Sequence, residues 1–385
     1  MDHIEAKASW PPSSLSGRFP TTCTNVIRAH TGPINAALFN SRSAYILSAS
    51  SDRQVRLFST RSPPASSISP ESSLGVIAKK GKVDEGIKTY DSANNAVLAL
   101  ALAPSDKIFA QAGMDRSVNV VDVQSGGVVR RFNAHTGAVH ALAFAGASSS
   151  SSSTNNNNPG APGLTGGDSL LLAAGFDARC RLYDLRASGA WKPIMELKES
   201  KDTIFCLDVS GGIFRTAGME GVVRTYDARM GQMTEDVAAA PIVSLSSTST
   251  SLLISTSSQR RAAHHLLSTS DGTLQKTLIG HQQSNPKSPF RSIFVRPVKN
   301  TAAAAAADPI GVLSGSEQAG PLLWKLNSNS SATAAATRTA DAREGSAAEY
   351  PTGSACLGVD QARDGSLCSY HQDGTIRIWR MDGNS

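Results

Sequence analysis

The residues best equipped for chemistry in this chain are pairs of histidine and aspartate. His30 stands ahead of Asp52 and His135 ahead of Asp177, and an imidazole beside a carboxylate is half of the triad that activates a hydroxyl nucleophile. The pairing does not stay unique. Asp52 lies in the cassette LSASSDRQVRLF (Leu47 to Phe58), which returns from Phe109 to Asp122, Leu172 to Asp184, Arg215 to Asp227, Leu313 to Lys325 and Cys368 to Arg380. An active site requires one such arrangement, not one per unit, so the pairs read as internal braces. No GxSxG, HExxH or phosphate-cradling glycine loop accompanies them. Cys23, Cys180, Cys206, Cys356 and Cys368 are scattered without a CxxC pair, which argues against a zinc site or disulfide framework and suits a reducing compartment. The expectation is a protein without catalysis, metal or cofactor.

The elements that position these residues are short β-type runs. Each unit has a turn acid, or its substitute, between two strands: Asp52, Asp115, Asp177, Glu220, Gln318 and Asp373. Asp177 and Glu220 stand one unit apart at the ~40–45-residue spacing of a propeller blade. Glu220 to Gln318 leaves room for two units, so a degenerate fifth belongs between them, with strands expected over Ile242 to Leu245 and Leu252 to Thr256. Its His264 and His265 read as part of a surface loop. The expected architecture is all-β, a seven-bladed propeller over residues 25–382 behind a flexible segment 1–24. The alternative is six blades with an insert near 236–275. A strand over Asn25 to Arg28 should complete the last blade, since an unpaired sheet edge invites association. Low-complexity tracts at about 61–88, 146–167, 302–307 and 327–350 read as disordered loops, because such compositions bury too little apolar surface to offset chain entropy.

Composition excludes several classes. The 385 residues are 40% hydrophobic, enough for a sizeable core, and carry a net charge of +6 from 37 Lys plus Arg against 31 Asp plus Glu. That excess falls short of a nucleic-acid-binding signature, which needs clustering. No apolar run follows a basic start and none reaches a membrane-spanning length, so the expectation is a soluble protein of cytoplasm and nucleus.

The units resemble WD repeats. In that pattern His, Ser or Thr, Asp and Trp form a buried hydrogen-bonded network within each blade, and the resemblance assigns His30, Asp52, Asp115, His135, Asp177, Glu220, His281, Trp324, Asp373 and Trp379 to it. The aromatic site is filled by Phe58, Val121, Tyr183, Tyr226, Trp324 and Trp379, so two of these units keep Trp. Arg53 and Arg116 directly follow the turn acids of neighbouring units and Arg179 lies one position later. Three cations on one rim would suit an acidic or phosphorylated partner; a hydrophilic turn is the plainer reading. Arg56, Arg181, Arg224 and Arg377 read as stems packed along the sheet with solvated heads.

The stretch TAGMEGVVRTYDARMGQM (Thr216 to Met233), with Ala240 to Ser246 after it and Gly126 to Phe144 before it, resembles the mitogen-activated protein kinase organizer family of WD-repeat proteins. That resemblance implies a non-enzymatic scaffold whose partners are spliceosomal proteins or kinase-cascade components, with no membrane or direct nucleic-acid role. YDLR and YDAR also look like the box by which some propellers dock onto cullin–RING ubiquitin-ligase adaptors, which would use Arg186 and Arg229. The other reading of these arginines is a local ion pair with Asp184 and Asp227.

Overall fold

The computed structural model describes residues 20, 22–61, 83–145, 167–186, 191–210, 212–228, 230–238, 240–258, 262–279, 290–296, 309–317, 320–326, 348–349 and 354–380. They form seven four-stranded antiparallel sheets. β1 (Thr22–Arg28) is followed by blade 1: β2 (Ile34–Phe39), β3 (Tyr45–Ser50), β4 (Val55–Ser59) and β5 (Lys88–Tyr90). Blade 2 is β6 (Val97–Leu102), β7 (Ile108–Gly113), β8 (Val118–Asp122) and β9 (Val128–Phe132); blade 3 is β10 (Val139–Phe144), β11 (Leu170–Gly175), β12 (Cys180–Asp184) and β13 (Met195–Leu197). Blade 4 comprises β14 (Ile204–Ser210), β15 (Ile213–Gly218), β16 (Val222–Asp227) and β17 (Gln232–Val237). Blade 5 comprises β18 (Ile242–Ser247), β19 (Ser251–Thr256), β20 (Ala263–Ser268) and β21 (Leu274–Ile279). Blade 6 has β22 (Ser292–Val295), β23 (Gly311–Ser314), β24 (Leu322–Lys325) and β25 (Ala348–Glu349), and blade 7 has β26 (Cys356–Gln361), β27 (Leu367–His371) and β28 (Thr375–Arg380).

β1 is the fourth strand of blade 7, running from Thr22 opposite Arg380 to Arg28 opposite Thr375. It begins three residues before the expected boundary and joins the two ends of the described chain. Blade 5 lacks a turn acid yet is a full sheet, so the six-bladed alternative falls. Its hydroxyl-rich strands are buried along their length. His264 and His265 are strand residues, not a loop: both lie on β20, with His264 fully buried and bonded to Ser255 Oγ at 2.8 Å.

The apolar core is not one cluster but a seam between each pair of neighbouring blades. Ala36, Leu47 and Tyr90 of blade 1 meet Val97, Leu100 and Phe109 of blade 2, and the pattern repeats around the ring. The aromatic position of each cassette enters the seam with the preceding blade: Phe58 against blade 7, Tyr183 against blade 2, Trp324 against blade 5 and Trp379 against blade 6. Burying such a side chain contributes roughly 1.5–3 kcal/mol, so any apolar residue that fills the seam keeps the blade, as Val121 does.

Polar bonds stitch several seams at one end of the barrel. Asp360 accepts the Phe39 N–H at 2.9 Å, Asp106 accepts the Ser41 N–H at 3.0 Å, and Gln361 bonds both N–H and carbonyl of Arg296 at 2.9 and 3.0 Å. The low-complexity tracts lie mostly outside the described residues, but two expected borders move inward. Asp84, within 61–88, is bound to the backbone of Arg28 at both its N–H and its carboxylate, and β5 and β25 begin inside expected tracts. Arg61, Ala145, Arg296 and Leu326, each the last described residue before one of these tracts, stand at the end of the blades where inner strands finish.

Candidate functional site

The opposite end is built from tight turns. In five blades the turn between the second and third strands closes with the same hydrogen bond: Arg53 N–H to Ser50 O, Arg116 to Gly113, Ala178 to Gly175, Gly221 to Gly218 and Gly374 to His371, at 3.2–3.3 Å. The donor is left-handed in every case, at φ 72°, 63°, 55°, 74° and 79°. Glycine meets that demand without steric cost in blades 4 and 7. Arg53 and Arg116 meet it at a cost of about 1 kcal/mol each. The residue at that place in blade 3 is Ala178, not Arg179.

The turn acids tie these turns to the loops beside them. His30 Nδ1 donates to Asp52 Oδ2 and its Nε2 accepts from Ser48 Oγ, both at 2.9 Å. Asp52 also accepts the N–H groups of Thr31 and Gln54 at 3.3 and 3.1 Å. Blade 3 repeats the wiring with His135, Thr136 and Arg179 on Asp177. Blade 4 has no histidine here; Glu220 accepts from the Lys201 N–H at 3.2 Å. Burial, the largest single influence, would raise the Asp52 and Asp177 carboxyls, but the histidine hydrogen bond and charge together with the backbone N–H bonds, and Arg181 at Asp177, jointly outweigh it. Both are held below the usual carboxylate range.

The arginines four residues after the turn acids are not solvated heads. Arg181 and Arg224 are 6% and 4% exposed. Arg181 reaches Asp177 at 2.6 Å and Glu196 on the outer strand at 2.7 Å, and Arg224 spans Glu220 and Glu235 at 2.8 Å each. Arg56 donates to Gln54 Oε1 at 3.0 Å and to the Ala29 carbonyl at 3.2 Å. The signal was present as acid-x-x-x-Arg in Asp52/Arg56, Asp177/Arg181, Glu220/Arg224 and Asp373/Arg377.

The remaining expected network residues divide. Asp115 has no histidine partner: it bonds the N–H and Oγ of Ser117, while Gln111 and Asn119 of the same blade bond Ser92. Asp373 serves Thr375 in the same way. In blade 7, Trp379 Nε1 donates to Ser369 Oγ at 3.0 Å, and Ser369 meets His371 Nε2 at 2.9 Å. His371 was not singled out, because it stands at the turn rather than before the unit. Trp324 Nε1 donates to the Ile279 carbonyl at 3.2 Å and its ring lies edge-on to His264 of blade 5, an arrangement between blades rather than within one. His281 and Gln318 lie outside the described residues.

Among the candidate binding arginines, Arg53 and Arg116 are exposed. Arg179 is half-buried and donates to the Lys198 carbonyl at 3.1 Å. Arg186 folds back on Asp184, with Nε and Nη2 at 3.1 and 2.9 Å from its oxygens. Arg229 lies outside the described residues.

A register shift near the start of the inner strand inserts one extra residue in six blades: Asn35, Leu98, His140, Phe205, Val243 and Leu357. A bulge re-aims its side chain, and the first five of these line an axial channel of about 540 Å³. The residue before each turn acid is pinned beside the bulge: Met114 N–H to Ala96 O, Phe176 to Ala138 and Met219 to Thr203, at 2.8–3.1 Å. Met114 and Phe176 are 52% and 66% exposed. Met114 and Phe176 thus stand exposed on the turns of blades 2 and 3, while Leu98 and Phe205 line the channel. Inside it, the His140 and Phe205 rings meet edge-on at 5.5 Å.

The buried thiols are pushed up by desolvation, Cys180 and Cys356 to about 12, which leaves them protonated and unreactive. Among the described residues no group of three His, Cys, Asp or Glu could hold a metal.

Residues 21–59 match the family model described as WD domain, G-beta repeat. An uncharacterized WD repeat-containing protein of Schizosaccharomyces pombe is 30% identical over 146 residues, 38% of this chain and 44% of the relative. Autophagy-related protein 16 of Arabidopsis thaliana is 25% identical over 238 residues, 62% of this chain and 38% of that protein. The WD repeat domain-containing protein 83 homolog of Dictyostelium discoideum is 23% identical over 257 residues, covering 59% and 66%. The chain thus spans between about two fifths and two thirds of the length of these curated relatives.

Proposed function

The fold is a seven-bladed WD-repeat β-propeller, and we propose that the chain acts as a non-enzymatic platform on which other proteins assemble, docking on the rim of tight turns. The observation that carries this reading is the exposed apolar sector of Met114 and Phe176 on a rim whose turns are braced. Its histidine–carboxylate pairs are spent on that bracing. A rigid ring presenting anchor side chains suits association, because a few well-placed anchors dominate the energetics of an interface.

The finer role is pre-mRNA splicing or kinase-cascade assembly, with distribution between cytoplasm and nucleus; the resemblance to the kinase-organizer family supports it. The ubiquitin-ligase receptor reading is not favoured, because the Arg186 guanidinium is engaged by Asp184. The test is affinity purification of the full chain with mass spectrometry, beside a Met114→Ser, Phe176→Ser variant. Splicing or kinase-cascade proteins recovered by the native chain and lost from the variant are expected. Equal recovery by both would remove the docking rim, and no protein partner for either would remove the platform reading.

A further inference from the structure

The charges on the turn rim of blades 1 and 2 are not balanced among themselves. Asp52 is consumed by His30 and the neighbouring N–H groups, Asp115 by Ser117, and Asp91 by Gln54 Nε2 at 2.9 Å. The carboxylates of this arc are thus directed inward or along the turns. Among the described residues neither Arg53 nor Arg116 has a carboxylate within ion-pair distance, and both are exposed. Each occupies the left-handed position that sister blades give to Gly221 and Gly374. The strain is thus accepted at two adjacent turns without an ion pair among the described residues to offset it, and strain of that kind gathers at ligand clamps. Met114 opens the same turn as Arg116, and Phe176 holds the equivalent place in blade 3; both are exposed, at 52% and 66%.

We propose that this sector takes an acidic linear segment of a partner protein, its large apolar side chains seated on Met114 and Phe176 and its carboxylates held by Arg53 and Arg116. The inference rests on the docking rim proposed above and names the chemistry of the occupant. A guanidinium binds a carboxylate through two parallel N–H donors, and two cations on the turns neighbouring exposed apolar side chains reject a basic segment while steering an acidic one. The chain's charge of +6 acts in the same sense at long range.

The test selects random 12-residue peptides on phage against the immobilised full chain, then measures fluorescence anisotropy with labelled synthetic copies. Enriched peptides should combine acidic with large apolar residues. Their affinity should fall at least tenfold with Arg53→Gly, Arg116→Gly, and fall steeply with salt. Glycine suits the backbone of both turns, so that variant should melt no lower than the native chain, which separates lost binding from lost folding. Enrichment without acidic residues, no enrichment, or binding seen only with phosphoserine versions would overturn the acidic-segment proposal. Binding that Phe176→Ser abolishes but the double arginine variant leaves intact keeps the docking rim and rejects its acidic occupant. Binding insensitive to both removes the rim as well.

Discussion

Arg224 holds Glu220 with both ends of its guanidinium, Nη1 at 2.8 Å from Oε2 and Nη2 at 2.9 Å from Oε1, while its Nε donates to Glu235 at 2.8 Å. One buried cation therefore ties the turn of blade 4 to the outer strand, doing in this blade what His135 and Arg181 share in blade 3. A planar fork with five donors can grip one carboxylate through two parallel N–H bonds while a third N–H serves a second carboxylate, a geometry that neither an imidazolium nor an ammonium offers.

Replacing it should therefore be costly. Arg224→Met leaves Glu220 and Glu235 without their partner, and removing one member of a buried pair costs 3–5 kcal/mol. Because the Glu220 and Glu235 side chains are 21% and 44% exposed, water recovers part of that, and a loss of about 2–3 kcal/mol is expected in urea unfolding. Arg224→Lys should recover less than half of it. A loss below about 0.5 kcal/mol would show that the fork is ornamental.

The left-handed turns give a prediction of the opposite sign. Arg53→Gly and Arg116→Gly each remove backbone strain, and after the added freedom of the unfolded chain a gain of about 0.5 kcal/mol should remain. Gly374→Ala should destabilise by at least about 2 kcal/mol, since φ is +79° and the new Cβ would stand 2.2 Å from the His30 carbonyl oxygen. Thermal melts of the three variants decide it; an unchanged midpoint for Gly374→Ala would contradict the geometry.

The ring was legible in the sequence because its period is carried by turns, and a turn demands particular residues whatever surrounds it. Asp52, Asp177 and Glu220 could be aligned by eye for that reason. Blade 5 escaped the same reading: hydroxyls such as Ser255 fill the brace and no acid marks its turn, yet the continuous apolar run of Leu252, Leu253 and Ile254 still specifies a strand buried on both faces. The arginines were misjudged because a basic side chain on a strand ordinarily reaches solvent; only the four-residue offset from an acid distinguishes Arg181 and Arg224. The channel ring of Leu98, His140 and Phe205 was not legible at all, since a bulge is a property of register between two strands and leaves no mark on either alone.

His371 sets the behaviour in mild acid. It is fully buried between Ser369 Oγ and the Ser354 carbonyl, and desolvation, helped by Arg377, pushes its pKa down to about 4 against the opposing pull of Asp373. The unfolded chain binds this proton near pH 6.5 and the folded chain only near 4, so the unfolded state carries more protons between those values and stability falls as pH drops through them. His140 and His265, also depressed by burial, add in the same direction. Below about pH 4 the depressed carboxyls of Asp52, Asp177 and Glu220 continue the loss. Urea unfolding from pH 7.5 to 4.5 should show a steady decline whose slope is reduced in His371→Gln; a flat profile for the native chain would refute the assignment.

Closure of the ring depends on β1. Its Ile27 is 2% exposed and packs with Ile34, Ile376 and Ile378 in the seam between blades 7 and 1, while Asn25 to Arg28 pair with Ile378 to Thr375 across nearly the whole chain length. Ile27→Asp places an unpaired charge in that seam and should cost at least about 3 kcal/mol. Deleting residues 1–28 should do more, because β28 then becomes an open edge on a ring already held under closure, and such edges pair with other copies. Gel filtration of the truncated chain should show oligomers and its melt should broaden. A synthetic peptide of residues 20–30 binds only the folded ring, so by mass action it should restore the monomer and raise the midpoint with concentration. A truncated chain that stays monomeric and melts like the native one would mean that blade 7 is complete with three strands and that the first strand is dispensable.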